Sequence, residues 1–270
     1  MDKIMGSIRM ITNGSILSYL LKGLAFTLVI AVFAVVFGVI IGSVLALARN
    51  YCNSPKTKIF KWISIAYIEI FRNTPLMLWI FIGLVYFPSV DVSTDFAQLI
   101  GNSRTEVALL IKAVIALVLF TSSVIAEIIR GGLNSIPKGQ FEAAYSQGFN
   151  FVQTLIYVVL PQTFKNIIPT LLSQVITTIK DTSYVANIAV AELLGRTFQV
   201  IQISPRYTGF TSQNVSDVFA LCGLACVFYF IVNFTLSCIV RRMQKPKVRK
   251  AAVKASTIRA TSFFVTTSRS

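Results

Sequence analysis

The stretch from Leu24 to Ala48 holds no charged residue, and it is longer than the roughly 20 apolar residues a helix needs to cross the hydrocarbon core of a bilayer. It also exceeds the apolar core of a secretory signal, about 7–15 residues, and no small-residue cleavage site follows it. Its backbone groups find no water in hydrocarbon, and a helix satisfies them within the segment. Further apolar blocks cover about residues 60–87 and 107–129, one starting near Lys165, and 218–240. With 55% hydrophobic residues and a mean hydropathy of +0.73, the sequence predicts an all-α polytopic membrane protein.

The formal charge of +15 invites a nucleic-acid reading, but its placement argues against one. Nine of the 25 Lys and Arg lie between Arg241 and Ser270, and Arg49, Lys56, Lys58 and Lys61 follow the first apolar block. That is the bias of cytoplasmic loops in membrane proteins, so lipid rather than nucleic acid is the expected surroundings. Cys222, Cys226 and Cys238 share one apolar run and read as small packing residues, with Cys52 in a loop; no disulfide framework is implied. With no histidine and no Cys-x-x-Cys, no metal site is expected. The phosphate-binding pattern G-x-x-x-x-G-K-[ST] is absent, so the chain is not expected to hydrolyse nucleotide. No nucleophile, base and metal set stands out, and no residue is assigned as catalytic.

Polar interruptions mark the functional candidates. The first span carries Gly38-x-x-x-Gly42, then Ser43 and Ala46, a small-residue face that lets another helix approach closely. The second block is broken by Glu69-x-x-Arg72-Asn73-Thr74-Pro75, where Pro75 removes a backbone donor and biases Thr74 away from helix. Glu69 and Arg72 stand three apart and can form a structural ion pair along one face. Asn73 and Thr74, at the break itself, are candidates to line a solute path. Glu127 and Arg130 form a second such pair ahead of Gly131-Gly132. Residues 149–160 are too few to cross and are expected as an inner-face helix closed by Pro161. The fourth span carries Gln174 and Thr178 and meets Lys180-Asp181-Thr182-Ser183.

Between Ser135 and Pro161 lies a short polar helix set among apolar segments. Pro137 sits where a first turn tolerates it, with Ser135 or Ile136 as the cap. Phe141, Ala144, Tyr145 and Gly148 share one face, and Gly148 is a natural stop. Glu142-Ala143-Ala144, Gly148 and Leu160-Pro161 resemble the E-A-A loop of ABC importer permeases, with Val158 where that pattern usually has isoleucine. Tyr67-Ile68-Glu69-Ile70-Phe71-Arg72-Asn73-Thr74-Pro75-Leu76 is similar to the Y-x-E-x-F-R-G-T-P-L signature of polar amino acid permeases, with Asn73 replacing a glycine. Ala126-Glu127 through Arg130-Gly131-Gly132, Ser135 through Gln140, and Lys180-Asp181-Thr182-Ser183 resemble further strings of that family. The resemblance runs from about Gly23 to Arg242, in the branch that takes up histidine, arginine, glutamine and glutamate.

The resemblance implies a type I importer permease of about five spans. Pro137, Glu142, Ala143, Ala144 and Gly148 would form the cytoplasmic coupling helix, pressed by a separate ATP-binding subunit that holds the ATP and Mg; the chain itself carries no cofactor. A second permease chain, the same or a paralogue, and an extracytoplasmic binding protein complete the expected complex, in a bacterial cytoplasmic membrane. If the coupling helix and the basic tail are both inside, an even number of crossings separates them. Residues 184–199 are then re-entrant or at the outer face, and the N-terminus is outside. The expected division is an outer arm over 1–22, a permease domain over 23–242 with its coupling loop at 135–161, and a disordered basic tail over 243–270. A zwitterionic cargo needs helix termini, carbonyls and acids in its path, which points to Asn73, Thr74, Gln174, Thr178, Asp181 and Thr182. Lys180 and Asp181 can equally form a structural pair at an outer gate. The rival class is a self-sufficient secondary transporter or channel, which predicts inverted repeats; none is visible.

Overall fold

The computed structural model describes residues 2–95, 97, 103–208 and 214–267, with side chains described for those between 6 and 244. Helices make up the architecture: α1 (Asp2–Ile11), α2 (Gly14–Tyr51), α3 (Lys58–Arg72), α4 (Leu76–Tyr86), α5 (Arg104–Asn134), α6 (Lys138–Ser146), the bent run α7 (Phe151–Ile188), α8 (Leu193–Thr208) and α9 (Val215–Thr267). Among the described residues, α2, α5, α7 and the part of α9 up to Gln244 are long and apolar enough to cross a membrane, and the bent pair α3–α4 makes a fifth candidate.

The contact between α2 and α5 forms the spine. A Cβ added at Gly42 would lie 2.9 Å from the Ser122 carbonyl oxygen and 3.0 Å from the Ala126 nitrogen, and one at Gly38 would lie 3.2 Å from Ile125. The small-residue face therefore does mark a close helix approach, and dispersion between the two backbones replaces the side-chain packing that larger residues would allow. Further along the same seam, Ile30, Ile80, Ala116, Leu117 and Val185 close a core shared by α2, α4, α5 and the end of α7.

Several boundaries differ from the sequence reading. The N-terminal arm is mostly helix, because Asn13 caps α2 by accepting from the Ser15 amide at 2.9 Å, and Ile16 and Leu20 then pack on Leu193, Val200 and Leu221. The arm proper is α1, whose buried Ser7 hydroxyl donates to Asp217 at 2.6 Å. The second block is not a straight span: α3 and α4 meet at 107° across Asn73-Thr74-Pro75. From Arg72 beside Glu127, α4 runs back along α5 to Leu84, whose carbonyl accepts from Lys112 at 3.0 Å.

The expected separate helix over 149–160 is instead the first part of α7, which continues through Pro161. Residues Thr154–Val159 are wound as a π-helix, and this wider turn makes room for a ring that would clash with a carbonyl in tight α winding. After Asp181 the chain tightens into a 3-10 helix over Thr182–Ile188. Ala189, at φ 60°, then turns it towards α8, which is not one of the candidate spans. The basic tail carries helical backbone to Thr267; its alanines, lysines and arginines are good helix formers.

Candidate coupling helix and membrane-embedded polar sites

The nine-residue α6 is fixed at both ends by backbone geometry. Pro137 itself occupies the N-cap position, at φ −60° and ψ 141°. Ser135 instead closes α5, donating to the Gly132 carbonyl at 2.7 Å. At the other end the Phe149 amide donates to the Ala144 carbonyl at 3.1 Å and the Gly148 amide to that of Tyr145 at 2.9 Å, with Gly148 at φ +84°. This nested pair is the Schellman closure, and it requires the left-handed residue that glycine supplies without strain. Phe141 packs inward on the core of Ile129, Leu133, Ile136 and Val159. Ala144 is buried too, while Pro137, Glu142, Ala143 and Gly148 are exposed. Ala144 thus anchors the helix to its own chain, and Glu142 and Ala143 face outward beside Gly148.

Just ahead of this helix, Glu127 on α5 gathers three guanidinium groups. Arg130 donates through Nη2 at 2.9 Å and Nε at 3.0 Å, Arg49 at the end of α2 bonds the same carboxylate, and Arg72 lies 3.7 Å away. The predicted Glu127–Arg130 pair is formed. The predicted Glu69–Arg72 pair is not: Glu69 turns to Arg49 at 3.5 Å and Arg72 to Glu127. The bend after Arg72 brings the end of α3 against α2 and α5, so both charges find partners on other helices.

Asn73 donates to the Glu69 carbonyl and carboxylate at 2.9 and 3.0 Å. Thr74 donates to the Ile70 carbonyl at 2.6 Å and accepts from the Trp79 indole at 2.7 Å. The polar atoms at the break are therefore used to hold the break.

On α7 the predicted path residues divide. Asn166, Thr170, Ser173, Thr177 and Lys180 are exposed along one helical face, with Gln174 and Asp181 half-buried at its edge. Thr178 and Thr182 are fully buried on another face, where Thr182 donates to the Ile179 carbonyl at 2.8 Å. Lys180 and Asp181 make no ion pair with each other.

Residues 38–250 match the family described as binding-protein-dependent transport system inner membrane component. The chain belongs to that family. Its permease fold is similar to that of a crystal structure described as an amino acid ABC transporter with histidines, at TM-score 0.64 and 27% identity, covering 85% of this chain and 94% of the other. An inward-facing MetNI methionine ABC transporter shares the fold at TM-score 0.56 and 19% identity, over 85% and 96% of the two chains. Among curated relatives, the probable glutamine ABC transporter permease GlnP of Bacillus subtilis is 32% identical over 84% of this chain and 93% of its own. The arginine permease ArtQ of the same organism is 32% identical over 84% and 91%. The glutamate/aspartate permease GltK of Escherichia coli is 31% identical over 85% and 93%.

This permease holds one polar centre that sequence reading passed over. Glu192 is fully buried directly ahead of α8. One oxygen accepts from the Thr27 hydroxyl of α2 and the Tyr229 hydroxyl of α9, each at 2.9 Å, and the other from the Gly195 amide at 2.8 Å. The carboxylate thus caps α8 and fastens it to the first and last spans. Arg196 lies over the Tyr19 ring at 4.4 Å and donates to the Ala191 carbonyl at 2.9 Å. The only signal in the sequence was a lone carboxylate in an apolar piece, because both hydroxyl donors are remote along the chain.

Proposed function

We propose that this permease is the membrane-spanning subunit of an ATP-driven importer of polar L-amino acids. It works with a second permease chain, a separate ATPase pair on the inner face and an extracytoplasmic binding protein that delivers the amino acid. The observation that carries this reading is α6, a short polar helix rigidly closed at both ends, rooted by Phe141 and Ala144, and presenting Glu142 and Ala143 outward. Glu142 offers an anion to a basic groove of the ATPase, and Ala143 with Gly148 allows close approach. ATP and Mg sit on that partner, and this chain supplies no catalytic group. Closure of the ATPase pair displaces α6, and because α6 is packed on α5 and α7 the spans exchange inward-open and outward-open populations.

The cargo class follows from the relatives named for glutamine, arginine and glutamate/aspartate. Gln174 and Asp181, at the edge of the exposed polar face of α7, are placed to meet a zwitterion, while Thr178 and Thr182 lie buried behind them, Thr182 bonded to the Ile179 carbonyl. With α6 inside, the N-terminus lies outside and the C-terminus inside a bacterial cytoplasmic membrane.

The test is uptake of labelled glutamine, arginine and glutamate by proteoliposomes holding the chain with its ATPase and binding protein. Uptake requires ATP. Gly148→Val, which forces a β-branched residue into a left-handed conformation, lowers it at least about tenfold, a coupling loss of ~1.4 kcal/mol, with the inserted amount unchanged. Uptake that persists without any ATPase chain overturns the reading.

A further inference from the structure

We propose that α3 is an interfacial helix lying along the inner leaflet, where Lys56, Lys58 and Lys61 hold the headgroups of anionic lipid. The inner location rests on the orientation proposed above. Geometry comes first. α4 follows α5, a membrane-crossing helix, and α3 is turned 107° from α4, so α3 runs nearly across the span direction. Its end, Arg72, meets Glu127, which lies only about 10 Å along α5 from Asn134 at 1.5 Å per residue. That puts this end of α3 near the α6 end of α5, which the orientation proposed above places at the inner face, while the Tyr67 hydroxyl reaches the Leu119 carbonyl and the Ser122 hydroxyl at 2.9 Å.

The sequence of α3 fits such a position on three sides. At about 100° per residue, Ser64, Ile68 and Phe71 share the face that is buried against the protein. Ile59, Ile63, Ala66 and Ile70 fall within a second sector about 60° wide, and all four are exposed. Lys58, Lys61, Glu69 and Arg72, with the half-buried Ile65 among them, fall in a third sector about 80° wide, centred about 130° from the second. Trp62, 61% exposed, stands at the boundary between the apolar and charged sectors. A transverse helix with one greasy side, one charged side and an aromatic residue between them is built to lie in an interface. A crossing helix would have no use for the charged side.

The preference for anionic lipid comes from charge. The charged sector carries three cations against the single Glu69, and Lys56 adds another in the preceding turn. Neither Lys56 nor Lys58 is engaged in an ion pair with a described residue, and Lys61 donates to the neutral amide of Asn53 at 2.7 Å. Their flexible stems let the ammonium groups reach phosphate oxygens while the helix body stays in place.

The experiment uses Trp62 as the reporter. The chain has two tryptophans, and Trp79 is kept because its indole bonds Thr74 at the break; the difference in fluorescence between the unmodified transporter and transporter carrying W62F isolates Trp62. The assembled transporter is reconstituted in bilayers containing brominated phosphatidylglycerol or brominated phosphatidylcholine, with bromines shallow or deep in the acyl chains. Shallow bromines are expected to quench Trp62 more than deep ones. Phosphatidylglycerol is expected to be preferred about threefold to fivefold at low salt, falling to parity in K56Q/K58Q/K61Q. Stronger quenching by deep bromines, no quenching by either lipid because protein covers the face, or equal quenching by the two lipids would each overturn the proposal. If nucleotide-driven uptake is normal while the two lipids quench equally, this inference fails and the transport function stands. Lipid preference in a chain that takes up solute without an ATPase has the opposite meaning.

Discussion

Glu127, on α5, and Glu192, directly ahead of α8, are both carboxylates, and the molecule stabilises them in different ways. Glu127, its side chain 15% exposed, is matched by the guanidinium groups of Arg49, Arg72 and Arg130. Glu192, with no exposed surface, is matched by two hydroxyls and a helix-terminal amide. The first lies where α2, α3 and α5 converge just ahead of α6, at a part-solvated end where charges are screened and can exchange partners. The second is wholly inside, where an oriented set of neutral donors satisfies both carboxyl oxygens without adding ions that would themselves need desolvation. The contrast assigns rigid anchorage to the α8 end and a looser, redundant joint to the end that faces α6.

The most damaging change should fall beside Glu192. A Cβ added at Gly195 would lie 2.1 Å from the Val190 carbonyl oxygen, and backbone cannot give way there. Gly195→Val is expected to cost more than about 4 kcal/mol and to abolish a monodisperse peak in detergent chromatography; a normally folded variant would remove the case for a rigid seat. Next comes Glu192→Leu, which leaves the Thr27 and Tyr229 hydroxyls and the Gly195 amide without their acceptor. A loss of about 3 kcal/mol is expected, read as a fall in the thermal midpoint of the solubilised transporter.

Smaller effects sharpen the comparison. Glu127→Gln is expected to cost about 1–2 kcal/mol, because the Arg72 and Arg130 side chains are 43% and 33% exposed and water already screens them. Its penalty should shrink in 1 M salt, at a Debye length of about 3 Å, whereas that of Glu192→Leu should not. Equal salt responses would erase the distinction between the two sites. Smallest is Thr27→Val, which removes one of the donors to Glu192 and the acceptor of the Leu193 amide. About 1 kcal/mol is expected, and its coupling energy with Tyr229→Phe, measured by a double-mutant cycle, tests whether the two hydroxyls act on one carboxylate.

Legibility followed the range of the interactions. The α2 and α5 spans were readable because an uncharged block of that length has few other places to go, and Gly38 with Gly42 announced the contact between them. The stop at Gly148 was readable because a Schellman closure is local. The partners of Glu69 and Arg72 were misread because helical spacing shows which charges can meet along one helix, not which neighbouring helices the chain will bring closer. The α7 boundary was misread because Pro161 normally ends a helix, and a π-wound turn before it changes the local sterics. Asn73 and Thr74 stood out at the break in a linear reading; that their side chains also bond Glu69, Ile70 and Trp79 was not visible there.

The residues alone determined that this is a helical membrane protein with about five candidate spans, a polar helix between the third and fourth, and no nucleotide-binding loop of its own. These are properties of short windows: hydrophobic length, the conformational freedom of glycine and the missing amide of proline act within a few positions. Tertiary structure decided that α3 is turned 107° from α4, that Ala144 faces inward while Ala143 faces out, and that Glu192 is a pin joining α2, α8 and α9. Each depends on groups that meet only when distant helices pack, with separations of 165 and 37 positions for the two hydroxyl bonds of Glu192. No local periodicity encodes such a meeting; the physical requirement that a buried carboxylate find donors becomes specific only once the neighbours are in place.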